Sequence, residues 1–142
     1  MSSRYEFIDH TADVAVRAYG DSLADAFGAA ARAMFDIITG NAEIKPEREI
    51  SVFAEADDLE GLLVGFLSKL ILAHEVANIV LGEFVVSIEE NGKRVTAQCK
   101  GEAFDRERHG QGMHVKAVAY HMMEINDGGT SGESSVQVLF DV

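Results

Sequence analysis

Residues 22–40 constrain the fold more than any other stretch. Ser22 offers a hydroxyl at the N-cap position, with Asp25 three residues on, and Gly40 supplies the residue that most readily ends a helix in a left-handed conformation. Between them Leu23, Phe27, Ala30, Met34 and Ile37 or Ile38 recur at helical spacing as one apolar stripe. Ala24, Ala26, Ala29, Ala31 and Ala33 fill the remainder, so this helix can lie close against a sheet. The chain before it alternates with period two, from Tyr5 to Asp9 and from Val14 to Tyr19, and Gly20-Asp21 makes the turn into the helix.

The same two periods alternate along the rest of the chain. Arg48 to Ala56 predicts a strand with Ile50, Val52 and Ala54 on one face. Asp57, with Glu60 at capping-box spacing, predicts the start of a second helix whose broad apolar face runs from Leu59 to Ile71. From Ile79 the pattern is β: Phe84, Val86 and Ile88, a type I′ hairpin signal at Asn91-Gly92, then Val95, Ala97 and Cys99. Val115 to Ile125 and Val136 to Phe140 complete the set, joined through Asp127-Gly128-Gly129. The predicted order is β-β-α-β-α-β-β-β-β. Helices early and hairpins late define an α+β fold: one two-layer domain over residues 1–142, with about seven strands in a largely antiparallel sheet and two helices packed on it.

Composition narrows the function classes. No apolar run is long enough to span a membrane, the first residues lack the apolar core of a signal peptide, and cytoplasmic location is the expectation. A lone cysteine, Cys99, excludes an intramolecular disulfide and a cysteine-built zinc site, and reads as a small core residue. The formal net charge of −12 disfavours autonomous binding to nucleic acid. That charge is uneven: residues 36–90 carry 12 acids against three bases, whereas residues 93–121 carry six bases against three acids. Ordinary solvated faces account for most of it, but an acidic surface also suits docking on a basic partner such as an RNA-handling enzyme.

Three places carry groups capable of chemistry. The run His10-Thr11-Ala12-Asp13-Val14 sets an acid, a hydroxyl and an imidazole in the short link between the first two strands. Asp13 is either a loop acid capping a backbone N–H or a ligand. Asp141, next to the carboxyl group of Val142, is its possible partner from the other end of the chain. Together Asp13, Asp141 and Val142 offer anionic oxygens that suit Ca²⁺, Mg²⁺ or Mn²⁺. The loop from Phe104 to His114 clusters Arg106, Arg108, His109 and His114 between glycines, and either accepts a phosphate or acidic partner or is a plain exposed hairpin loop. In Val115–His121, Lys116, Val118 and Tyr120 share a face with Met122, which leaves His121 on the other with Val115, Ala117 and Ala119 as a hydrogen-bonded core residue. No nucleophile elbow, phosphate-binding glycine loop or dinucleotide fingerprint is present.

The stretches YEFIDHTADVAVRAYG and SLADAFGAAARAMFDIIT, with KGEAFDRERHGQGMHVKAVAYH at 100–121 and the closing acid, resemble the archease family along essentially the whole chain. The chain departs from that pattern after the second helix, where Lys69 and Leu72-Ala73-His74-Glu75 replace an acidic and aromatic stretch. The resemblance implies an accessory protein for an RtcB-type RNA ligase. Such a protein promotes metal-dependent guanylylation of the ligase and multiple turnover in tRNA splicing and RNA repair. It further implies that Asp13, Asp141 and Val142 form the metal site and that no residue is catalytic. The rival readings are a chaperone-like module for other RNA-modifying enzymes, such as a tRNA methyltransferase, and an independent metal hydrolase with His10 or His121 as base.

Overall fold

A computed structural model describes residues 3–8, 13–128 and 132–142. The elements in chain order are β1 (Ser3–Ile8), β2 (Val14–Gly20), α1 (Leu23–Thr39), β3 (Arg48–Glu55), α2 (Leu59–Ala77), β4 (Ile79–Ile88), β5 (Arg94–Ala103), α3 (Arg106–His109), β6 (Ala117–Asn126) and β7 (Ser134–Asp141). The α+β class and the seven antiparallel strands are as the sequence predicts. The strands divide between two sheets, ordered β1-β2-β7-β6 and β3-β5-β4, and the four-residue α3 is additional.

Helix α1 explains its own composition. It packs on β2 and β7 of the first sheet and on β4 of the second. A helix gripped from two sides has no wide polar face, so Ala26, Ala29, Ala30, Ala31 and Ala33 are all buried beside Phe27, Met34 and Phe35. The Ser22 hydroxyl accepts the Asp25 N–H at 3.1 Å, and Gly40 closes the helix at φ 67°. Helix α2 packs on β6 and β3 and buries Leu62, Leu63, Phe66, Leu67 and Leu70 completely. The helices meet where Phe27 stacks on Phe66, ring centroids 6.0 Å apart. Where β5 crosses β4, a Cβ on Gly101 would stand 1.8 Å from the Val80 carbonyl oxygen, so only glycine fits that approach.

Four local readings are corrected. The N-cap of α2 is Asp58, whose carboxylate accepts the Gly61 N–H at 2.7 Å; Asp57 lies one residue too early. At Asn91-Gly92 only Gly92 has positive φ, 70°, and the Gly92 N–H donates to the Glu89 carbonyl at 2.8 Å. A type I′ turn needs both central residues left-handed, so the connection is a longer one. In β6 the pairing to β7 slips between Ala119 and Glu124, a bulge in which Met122 takes φ 61°. The bulge turns Tyr120, His121 and Met122 to the surface, so His121 is not a core residue.

Candidate functional site

Strands β2 and β7 are the two central strands of the four-stranded sheet, and their ladder begins with Val14 opposite Phe140. One residue beyond that rung lie Asp13, just before β2, and Asp141, the last residue of β7. Asp141 is also the rung partner of Ala117 on β6, and its carbonyl accepts the Lys116 N–H at 2.7 Å. Asp13 is half-buried, Asp141 is exposed, and Val142 packs partly against the core. Val16, Val136, Val138 and Phe140 are buried on one face of this ladder with Val14 partly so, and alternation puts the two acids on the other face, with the buried Ala15 and Leu139. Like charges on facing rungs oppose the fold unless something positive comes between them.

The fold therefore brings together two of the residues that the sequence singles out. His10 and Thr11 lie outside the described residues. Among the described residues, no three His, Cys, Asp or Glu side chains gather as a metal-binding group. Glu75 stands elsewhere, its carboxylate 3.8 Å from Nε2 of His114. Cys99 is fully buried, and that burial pushes its thiol up to about 12, so it is an inert core residue.

The basic loop holds a residue that sequence reasoning missed. Glu102, on β5, is 3% exposed and gathers four donors. Arg108 approaches it in a fork, Nη1 at 2.9 Å and Nη2 at 2.7 Å, while the Lys45 N–H donates at 2.7 Å. His109 is fully buried, and its Nδ1 accepts the Asp105 N–H at 2.8 Å. Its proton therefore sits on Nε2, which donates to Glu102 at 3.1 Å. The Arg108 guanidinium, then the Lys45 and His109 bonds, outweigh burial and hold the Glu102 carboxyl at about 2. Arg108 and His109 thus anchor the loop rather than offer it to a ligand, and only the acid's placement six residues before Arg108 hinted at the pairing.

A two-sheet α+β domain with facing carboxylates at the end of its central strand pair is the class of molecule these features define. Residues 5–142 match the Archease protein family. The protein archease of Pyrococcus furiosus is 42% identical over 124 residues, 86% of this chain and 87% of its own. That of Methanosarcina barkeri is 39% identical over 145 residues, 100% of this chain and 98% of its own. A solution structure of Methanobacterium thermoautotrophicum protein 1598 superposes with a TM-score of 0.74 at 34% identity, covering 97% of this chain and 98% of that one. The chain belongs to the archease family. No helix among the described residues is long and apolar enough to cross a membrane.

Proposed function

We propose that this protein is an accessory factor that activates an RtcB-type tRNA-splicing and RNA-repair ligase by promoting its metal-dependent guanylylation. The observation that carries the reading is the facing of Asp13 and Asp141 at the end of the β2–β7 ladder. The donor set fits a hard cation: two carboxylates, with the carboxyl group of Val142 as the third donor, all oxygen and all anionic. A divalent ion bound there supplies positive charge to offset that of a nucleotide phosphate. The chain's own part is to hold the acids on a rigid ladder and to leave Asp141 exposed, so the open side of the site faces a partner. The net charge of −12 suits the same role, because a ligase that grips RNA is basic and its helper then does not compete for RNA.

The test is guanylylation of the cognate ligase from GTP, with and without this protein, across a Ca²⁺, Mg²⁺ and Mn²⁺ titration. Stimulation that Asp13→Ala abolishes while its circular dichroism matches wild type supports the reading. Stimulation that survives Asp13→Ala favours simple docking, and none by folded wild type turns the reading toward another RNA-modifying enzyme. Calorimetric titration of the divalent ions into the isolated protein checks the site independently of any ligase.

A further inference from the structure

The segment that follows α3 forms, with the second half of α2, a groove that the facing acids do not use. One part, about 360 Å³, runs between Glu75 and the stretch from Arg106 to Val115; the next, about 220 Å³, runs from Glu75 and Leu72 to Lys116 and Ala117. Glu75 lines both parts and Val115 leads straight into Lys116, so the two adjoin as neighbouring parts of one trench-like face. Its far end, Ala117, is the rung partner of Asp141.

The trench has a distinctive chemistry. Leu72 and Met113, 55% and 51% exposed, offer apolar contact. Arg106 and Lys116 are exposed, and whereas Arg4, Arg17, Arg94 and Arg108 each meet a carboxylate, neither of these does among the described residues. His114 adds an imidazole whose Nε2 stands 3.8 Å from the one lining acid, Glu75. A chain of net charge −12 therefore carries a groove in which bases outnumber acids and stand among apolar groups.

We infer that this trench seats an extended acidic segment of a partner protein, one in which carboxylates alternate with apolar side chains. Charge complementarity requires an anionic occupant. Leucine and methionine at the rim add no recognition of a phosphate backbone, and the field of the whole molecule repels one. An extended peptide instead sends successive side chains to opposite sides, which matches cations and apolar groups distributed along a groove. The inference deepens the proposed ligase-activating role: a segment laid from Arg106 to Ala117 ends beside Asp141, so docking would aim the partner at the facing acids. It rests on that reading only for the partner's name.

The experiment titrates isotope-labelled full-length protein with a capped hexapeptide of alternating Glu and Leu, followed by amide NMR shifts. The expected result is shifts at residues 72–75, 104–106 and 113–117, with affinity weakened at least about tenfold in Arg106→Glu/Lys116→Glu. Both substitutions are at exposed positions, and a dispersed spectrum verifies that the variant folds. Absence of peptide shifts, equal affinity for the variant, or stronger shifts of the same amides with a single-stranded oligonucleotide would each overturn the inference. A parallel measurement of ligase binding separates the two ideas. Charge reversal should weaken binding about tenfold while Asp13→Ala leaves it intact; if the peptide seats but the ligase does not bind wild type, the ligase reading falls and the groove stands.

Discussion

Replacing Glu102 tests whether the basic loop is held by one buried carboxylate. In Glu102→Leu, the Lys45 N–H and the fully buried His109 Nε2–H lose their acceptor, while Arg108, whose side chain is 42% exposed, can turn to water. Two stranded donors cost about 1–3 kcal/mol each, and the buried leucine side chain returns part of that. A net loss of about 3 kcal/mol follows, in keeping with the penalty for breaking a buried pair. Glu102→Gln is milder, because its amide oxygen can still accept the three donors that now converge on Oε2: Lys45 N–H, His109 Nε2–H and Arg108 Nη2. Its cost should be about 1 kcal/mol. Urea unfolding at pH 7 should therefore move the midpoint in the order wild type, Gln, Leu, with an unchanged slope.

Acid adds a second readout. The native carboxyl is depressed from 4.5 to about 2, so between those values the unfolded chain holds the extra proton. The stabilisation is complete above about 4.5 and is lost as pH falls toward about 2. The wild-type advantage over Glu102→Gln should shrink across that window. A leucine variant no less stable than the glutamine one, or a wild-type advantage constant from pH 7 to pH 2.5, would refute the reasoning.

Two further outcomes follow from close contacts elsewhere. Gly112→Ala would set a Cβ 2.1 Å from the Ile37 carbonyl oxygen, which also accepts the Met113 N–H at 2.9 Å; thermal melts should show a loss of about 1–3 kcal/mol, and hydrogen exchange should show earlier opening at Met113. Tyr5 donates to Asp36, and its phenol is pushed up to about 12 by burial first and by Asp36 second. Asp36→Asn should lower that value in an ultraviolet pH titration without restoring 10, since the burial remains; no change would remove Asp36 as a cause.

What the sequence revealed were features set by near neighbours. Ser22 and Gly40 lie within a turn of the groups they satisfy, so both ends of α1 were legible. Asp57 and Asp58 are adjacent acids, and local pattern alone does not say which one adopts the extended backbone of a cap. The division into two sheets was hidden, because Ile50 opposite Cys99 and Phe84 opposite Cys99 depend on pairing across long stretches of chain. The β6 bulge was hidden for a related reason: Val115 to Ile125 alternates acceptably, and only the pairing with β7 shows the slip that turns Tyr120–Met122 outward. Asp13, Asp141 and Val142 were grouped from the sequence as possible oxygen donors, but that the strands next to the two acids run side by side was not legible, since it needs the β2–β7 pairing.

That register also ties the site to the order of the strands along the chain. β7 is the last strand in the sequence and yet sits in the interior of its sheet, between β2 and β6. β1 and β2 can form a hairpin as soon as both are present, but the slot between β2 and β6 stays vacant until β7 arrives from far along the chain. Such non-local closure is slow relative to hairpin formation. The pairing of β2 with β7 is thus a long-range closure, and a copy in which β7 has not paired presents Asp13 without Asp141 on the neighbouring strand.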